Sequence, residues 1–453
     1  MKIKQHWLMG LLILVSGFVF LSQHSHAKVS PDQADRLKAD LTPVGAERAG
    51  NADGSIPEWK QNLELKNGSY SLGAHHPDPF VDDKPVVIIT KANIESHKDR
   101  LSKGHLALLK HDSFSVSVYP TRRSAIYPQR IYDAIYQNAL SATLTSDGEG
   151  LAVANASSPF PIPQSAEEVI WNHKMRYRGE VVRTNYGNAV VTSKGRFDIT
   201  TTDALIQFAY SAPERTPDSQ SDLAFMLLGQ TTAPAKKAGN KLLVHEFINS
   251  MEEPRKSWIK LSGMRRSRRA PDIGYDAPVV ISDSIALVDN TDMFSGAMDR
   301  FDWHLKGKKE LYIPYNAYAL HSNQRQYSDI LHAKHLNPEW LRYELHRVWV
   351  VEATLKKGYR HRYAKRVFYI DEDSWQIAVI EQYDGRGNLM SMAEGHPINY
   401  YEKPLFWYTL EVIYDLEKDQ YYASGLDNQE KMYDFSVEPK PNYFTPATLT
   451  RLR

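Results

Sequence analysis

The sequence contains no cysteine and carries almost no net charge. Its 453 residues include 55 Lys plus Arg and 54 Asp plus Glu. Without cysteine the chain has no disulfide, no thiol nucleophile and no metal site built on thiolates. A neutral balance argues against a nucleic-acid binder, which normally shows a basic excess. Gly and Pro, at 24 each, are too few for a fibrous or low-complexity protein.

The familiar catalytic motifs are also missing. The sequence has no Gly-x-Ser-x-Gly, no phosphate-binding loop and no dinucleotide fingerprint, which removes the enzyme classes that carry them. We therefore expect no cofactor and no enzymatic activity. What the chain does have is 42% hydrophobic residues and an aromatic share of 11%, with 26 Tyr. This composition predicts a folded protein with a large core.

The first 27 residues have the features of a secretory signal peptide. Lys2 and Lys4 precede a 15-residue apolar run at 7–21, and Ser25 and Ala27 supply the small residues of a cleavage site. A membrane anchor is the alternative, but it needs about 20 apolar residues. We predict cleavage after Ala27, and because no cysteine is available for acylation, a free periplasmic protein.

The remainder divides into an extended N-terminal segment at 28–94 and a single domain at 95–453. Ser30 and Pro31 resemble an N-cap and first helical position, which predicts a short helix. Periodicity predicts a helical insert at about 95–180, with helices over 96–110 and 129–142. A third helix is predicted to begin at Ser165, where Glu168 completes a capping box.

From about residue 178 the hydrophobic period changes to two, which is typical of half-buried strands. Residues 346–356 alternate in this way, and 366–370 and 375–380 form a hairpin around the polar turn at 371–374. Further strands are predicted at 241–249, 256–264, 279–287, 309–313, 406–414 and 420–424. Their short connections favour an antiparallel sheet. We predict an α+β fold, mainly β, in which a large curved antiparallel sheet has helices packed on its concave face.

Several blocks of the sequence resemble a bacterial exported family filed as domain of unknown function 1329. They lie, in order, at 40–59, 119–124, 159–163, 171–173, 265–271, 344–353 and 371–375. The resemblance implies a fold similar to the LolA and LolB carriers that sort outer-membrane lipoproteins, a half-open barrel enclosing an apolar cavity for acyl chains. It also implies a partner among inner-membrane exporters of the resistance-nodulation-division (RND) class. Ser262-Gly263-Met264 departs from the Pro-Gly-Gln turn of the family.

The candidate binding residues are aromatic or apolar strand positions and an arginine cluster. The former either pack in the core or line a cavity; they are Trp258, Trp349, Val351, Phe368, Trp375, Phe406 and Tyr408. Arg265 and Arg266, with Arg268 and Arg269, could hold a phosphate or carboxylate head group through paired hydrogen bonds. The alternative for these arginines is ion pairing with the protein's own acids.

Two polar groups invite other interpretations. His75 and His76, with Asp78, Asp82 and Asp83, suggest a metal site, but the loop lacks a ligand register, so we predict a solvated loop without a metal. His346 and Glu344 share a strand face and could act as acid and base. We expect instead a structural pair with a nearby arginine.

These features favour a periplasmic carrier for a hydrophobic, lipid-like molecule that works with an RND-type exporter. A second hypothesis is an accessory subunit that docks to the exporter and has no cargo of its own. A third is a hydrolase of envelope lipid, which needs a nucleophile and a base about 3 Å apart. An outer-membrane barrel is a weaker fourth, because helices and charged strand faces interrupt its pattern.

Overall fold

The computed structural model describes residues 29–61, 70–213, 222–270 and 274–452. The predicted signal peptide, residues 1–27, lies outside the described residues. The strands are β1 (Val87–Ile89), β2 (Val116–Tyr119), β3 (Thr143–Leu144), β4 (Leu151–Val153), β5 (Val181–Val191), β6 (Phe197–Phe208), β7 (Leu223–Ala233), β8 (Lys241–Phe247), β9 (Lys256–Lys260), β10 (Arg268–Arg269), β11 (Phe301–Pro314), β12 (Tyr343–Leu355), β13 (Lys365–Asp371), β14 (Ile377–Tyr383), β15 (Leu389–Tyr400), β16 (Leu405–Asp415) and β17 (Gln420–Leu426).

Short helices lie before, between and after these strands. They are α1 (Pro31–Asp35), α2 (Lys103–Leu108), α3 (Gln129–Ser141), α4 (Ala166–Met175), α5 (Tyr318–His321), α6 (Tyr327–Ile330) and α7 (Pro446–Arg451). The helices α2, α3 and α4 fall in the stretch predicted to be a helical insert. Within the described parts of the chain, no helix is long and apolar enough to cross a membrane.

One sheet of fifteen strands dominates the fold. Its order is β1-β2-β12-β13-β14-β15-β16-β17-β5-β6-β7-β8-β9-β10, and β11 pairs with the other edge of β12. The neighbours are antiparallel except for β2 and β12, which are parallel over two residue pairs. The two ends of the sheet do not pair with each other, so the barrel stays half open. The predicted α+β fold with a large, open, mainly antiparallel sheet is confirmed.

Most strands predicted from the alternating pattern are present, but the prediction of a strand at 279–287 is wrong. That stretch contains a single 3-10 turn at Val280–Ser282. Asp283 and Ser284 follow with φ values of 47° and 66°, a left-handed conformation that interrupts an extended chain. The apolar residues 285–287 lie in a loop and are buried. Their apolar character therefore reflects burial and not an extended strand.

Local capping signals were reliable at both predicted helix starts. Ser30 caps α1, with Pro31 in the first turn. Ser165 caps α4 by accepting a hydrogen bond from the backbone N–H of Glu168 at 3.2 Å. The carboxylate of Glu168 accepts a hydrogen bond from the backbone N–H of Gln164 instead of from the backbone N–H of Ser165. Half of the expected capping box therefore forms.

The two faces of the sheet are covered by different helices. Along β6 and β7, Leu205 and Leu228 pack in a cluster with Leu449 of α7. Their neighbours Ile206 and Leu227 point to the opposite face, where they share a cavity with residues of α4. The face beneath α4 is therefore the one on which an internal cavity forms.

Arg123 joins the N-terminal segment to the sheet. Its guanidinium donates to both carboxylate oxygens of Asp373, at 2.9 and 2.8 Å, and to the backbone carbonyls of Glu47, Arg48 and Pro57. Arg123 and Asp373 are each 3% exposed. One buried ion pair thus fastens the loop after β2, the turn after β13 and the segment before β1.

We predict that Arg123→Met destabilises the protein by about 3–5 kcal/mol, because it leaves the buried carboxylate of Asp373 without its guanidinium. Urea unfolding of the chain without residues 1–27 gives the free energy of unfolding. Arg183→Met is the matched control, since Arg183 forms an ion pair with Asp203 at 2.8 Å but its side chain is 54% exposed; about 0–1 kcal/mol is expected there. Equal losses in the two variants would contradict the prediction.

Candidate functional site

An internal cavity of about 170 Å³ lies between α4, the loop at 291–295 and the strands β5–β8, β16 and β17. Its wall is mainly apolar, with Trp171, Phe208, Phe225, Leu227, Phe294 and Trp407 among its residues. An engineered cavity of about 150 Å³ holds benzene. This cavity can therefore accept a small ring or the end of an acyl chain.

A buried ion cluster forms one wall of the cavity. Asp292 accepts hydrogen bonds from Arg176 at 2.9 and 2.6 Å, from Arg178 and from the indole of Trp407 at 3.1 Å. Burial by itself would raise the pKa of Asp292, but the guanidiniums of Arg176 and Arg178 outweigh it and lower that pKa. Asp292 has a φ of 54°, so its ion pairs hold the loop in a left-handed turn.

Glu411 is the acid of this cluster that favours its neutral form. It accepts a hydrogen bond from the backbone N–H of Met293 at 2.8 Å. Burial, reinforced by the charge of Asp292, raises the pKa of Glu411 to about 8. Glu411 therefore adds a carboxylic acid, not a carboxylate, to the cavity wall at neutral pH.

Lys174 lies at the end of the cavity formed by α4. Its ammonium donates to the backbone carbonyl of Gly296 at 3.1 Å and lies 4.1 Å from the ring centroid of Trp171. Burial lowers the pKa of Lys174 to about 8. Nearby, Glu246 is held by an ion pair with Arg255 and by the hydroxyl of Tyr275 at 2.7 Å.

A second buried network surrounds His346. Its Nε2 lies 3.3 Å from Glu344, whose other oxygen accepts from Arg342 at 2.8 Å. The structural pair with an arginine, predicted for His346 and Glu344, is confirmed. Burial would lower the pKa of His346, but hydrogen bonds to Asp373 and Glu344 raise it to about 9, so the imidazole carries a charge within the network.

His346, Asp371 and Asp373 are the described residues best placed to hold a metal ion, with one ligand atom from each within 4.8 Å of the others. A metal ion here would have to displace Arg123 from both oxygens of Asp373 and remove the proton of His346. The donor set therefore fits a network of ion pairs better than a metal centre.

Ser102, His105 and Glu394 form a linear hydrogen-bonded chain that has the residue types of a hydrolase triad. The Ser102 hydroxyl is 2.8 Å from Nδ1 of His105, and Nε2 of His105 is 2.8 Å from Glu394. Ser102 also accepts the backbone N–H of His105 as the N-cap of α2, and it is 1% exposed. This serine is buried away from the main cavity and serves to cap the helix.

The structure distributes the predicted apolar binding residues among different places. Tyr408 lines the main cavity and donates from its hydroxyl to the carbonyl of Ile377 at 2.7 Å. Trp349 lines a separate, more open depression of about 440 Å³ beside the N-terminal segment. Val351, Phe368, Trp375 and Phe406 are almost completely buried in the core. Trp258 packs with the α7 cluster, on the opposite face from the cavity.

The arginine cluster lies apart from the cavity at the β9–β10 edge. Arg265, Arg266, Arg268 and Arg269 are exposed. Within the described parts of the chain, none of the four lies within 4 Å of a carboxylate, so local ion pairing of these arginines, the favoured alternative, does not occur there.

The prediction of a solvated loop at 75–83 is wrong for two of its residues. His76 is 3% exposed and binds Glu402 at 2.8 Å and the ring of His321 at 3.2 Å. Asp83 pairs with Arg122 and Arg342. The loop is covered because it packs against α5, the turn between β15 and β16 and the loop after β17, a contact between distant segments that local composition does not show.

The charged groups Lys174, Arg178, Asp292 and Glu411, which line the cavity, and Arg176, which pairs with Asp292 behind it, were not predicted. One signal was present: Glu411 is the only acid between residues 405 and 414, in a run that is otherwise apolar or hydroxylated. A lone acid in such a strand indicates a buried carboxyl group with a specific partner. Asp292 gave no comparable signal, because it lies in an irregular loop.

Comparisons with known proteins identify a family and several similar chains. A family model described as protein of unknown function, DUF1329, matches residues 88–450. An uncharacterized protein of Pseudomonas aeruginosa is 45% identical over 426 residues, 93% of this chain and 94% of that one. A crystal structure of a DUF1329 protein from Desulfovibrio piger is 13% identical, with a TM-score of 0.41, over 60% of this chain and 92% of that one.

A domain classed as an outer membrane lipoprotein-sorting protein, from Vibrio parahaemolyticus, gives a TM-score of 0.42 at 13% identity. The match covers 63% of this chain and 97% of that domain.

The raised pKa of Glu411 predicts a pH-dependent stability. In the unfolded chain this carboxyl ionises near its ordinary pKa of 4.5, and in the folded protein near 8. Its contribution to stability is therefore fully present below about pH 4.5 and is lost as the pH rises toward 8. We expect Glu411→Gln to reduce the fall in unfolding free energy between pH 5 and pH 9, measured by urea unfolding across that range. An unchanged pH profile in the variant would contradict the assignment.

Proposed function

This chain belongs to the DUF1329 family of proteins of unknown function, and on that premise we propose that it is a carrier that binds the apolar part of a lipid-like molecule in the cavity beneath α4. The observation that supports the proposal is the cavity itself, which is lined by aromatic and aliphatic side chains from α4 and five strands. Internal spaces of this kind normally take apolar ligands.

The size of the cavity sets the scale of the binding energy. Each methylene that leaves water for an apolar site contributes about 0.8 kcal/mol. Six methylenes, roughly what a space of this volume takes, would contribute about 5 kcal/mol. Such an interaction is reversible, as a carrier that must release its cargo requires, and the remainder of a longer chain would extend out of the cavity.

We propose further that the protein acts in the periplasm after cleavage following Ala27, and that an inner-membrane exporter of the RND class supplies or receives the cargo. The features of residues 1–27 and the family resemblance support these two proposals. The exposed Arg265 and Arg266 lie apart from the cavity, so they would contact anionic head groups other than that of the bound cargo, because guanidinium groups bind phosphates through paired hydrogen bonds.

An accessory subunit without cargo remains the second candidate function. It would dock through its surface and would have no need of an apolar internal cavity. The two candidates therefore differ in what substitution inside the cavity does.

We predict that Ala224→Phe, which places a ring in the cavity from β7, lowers bound apolar material at least tenfold. The protein is purified from the periplasm without detergent, and its bound molecules are extracted and measured by mass spectrometry. Ala92→Phe is the control, because it makes the same change at an exposed loop position. No bound material in the unmodified protein would favour the docking subunit, whereas equal amounts in all forms would contradict binding in this cavity.

The same measurement separates the cavity from the depression beside the N-terminal segment. Trp349→Ala alters that depression and leaves the main cavity wall intact. We expect this variant to retain its bound material. Loss in Trp349→Ala together with retention in Ala224→Phe would place the cargo at the depression instead.

A further inference from the structure

Lys174 is a cation that the protein leaves incompletely partnered beside an apolar cavity. An ammonium group has three N–H donors. In the part of the chain that the structure describes, Lys174 has one hydrogen bond, to the backbone carbonyl of Gly296. No described carboxylate lies within 4 Å of it, whereas the nearby cations Arg176, Arg178 and Arg255 each form an ion pair.

Ser295 provides a second unpartnered polar group at the same place. It precedes Gly296, the residue whose carbonyl binds Lys174, and both Ser295 and Lys174 line the cavity. The Ser295 hydroxyl is buried and has no hydrogen-bond partner among the described residues. Buried polar groups are normally hydrogen-bonded, so a hydroxyl and an ammonium that line the same cavity with donors left unused indicate a missing acceptor.

The charges around the cavity determine the sign of that acceptor. Arg176 and Arg178 share the single carboxylate of Asp292, and Glu411 is neutral at pH 7 because burial raises its pKa. Glu246 is engaged by Arg255. Glu149 also faces Lys174, and burial raises its pKa to about 7. Arg176 and Arg255 lie behind the lining residues, and with them the groups in and behind the cavity wall carry an excess of positive charge.

We infer that the cargo is an amphiphile with an anionic, carboxylate-type head group, which binds the ammonium of Lys174 and the hydroxyl of Ser295 while its apolar chain occupies the cavity. This inference rests on the proposed carrier function and specifies its substrate class. The carboxylate accepts hydrogen bonds from both groups and neutralises the unpaired cation, and no bond is made or broken.

The test compares three probes with the same eight-carbon chain: octanoate, octanol and octylammonium. Calorimetric titration at pH 7 measures their dissociation constants with the purified chain after lipid has been removed. We expect octanoate to bind about tenfold or more tightly than octanol. The reason is that a hydrogen bond between charged groups contributes enough free energy to lower the dissociation constant about tenfold. Octylammonium should bind most weakly, since its charge has the same sign as the cavity wall.

Variants at Lys174 identify the group responsible. Lys174→Met keeps the apolar stem and should abolish the preference for octanoate over octanol without weakening octanol, while Lys174→Arg should retain the preference. Lys356→Met is the matched control, because Lys356 is also half-buried and donates to one backbone carbonyl, that of Asp299 at 2.8 Å, but does not line the cavity. Thermal unfolding confirms that each variant is folded.

Two outcomes overturn the inference at different levels. If octanol binds and octanoate binds no more tightly, or if Lys174→Met keeps the preference, the head-group assignment is wrong and the carrier function stands. If none of the three probes binds the unmodified protein, the carrier function itself is wrong, and the head-group assignment with it.

Discussion

The requirement that buried charges be paired governs how this chain is held together. The open sheet has no closing strand pair to hold its covering segments in place. Arg123 and Asp373 supply such a connection at one site, because a guanidinium removed from water must satisfy several donors at once. Arg123 does so with one carboxylate and three backbone carbonyls from the N-terminal segment. The described part of that segment contains α1, short 3-10 turns and β1 as its only regular elements, so this attachment helps to fix where it lies.

The same requirement shapes the cavity. Asp292 can remain buried in a left-handed turn only because Arg176, Arg178 and Trp407 bind its carboxylate. These contacts hold the loop at 291–295 against α4 and β16 without filling the space between them. The apolar cavity and its charged wall are therefore two results of one arrangement. Lys174 differs from its neighbours in that it lies at this wall with no carboxylate partner among the described residues.

Much of the fold was predictable from local patterns. The period-two alternation in β12, the polar turn between β13 and β14 and the caps of α1 and α4 each depend on residues close together in sequence. The prediction of a strand at 279–287 failed where a buried loop has the same apolar composition as a strand. The loop containing His76 was predicted to be solvated because the segments that cover it are distant in sequence: α5, the turn between β15 and β16 and the loop after β17.

The sequence by itself determined the absence of cysteine chemistry, the export signal expected before residue 28 and the mainly antiparallel sheet, since each follows from composition or from neighbouring residues. Only the tertiary structure decided which aromatic residues line a cavity. Tyr408 and Phe406 lie two positions apart on β16, yet one lines the cavity and the other is packed in the core. Alternation assigns a side chain to a face of the sheet, whereas a cavity exists where a distant helix and loop leave part of that face uncovered.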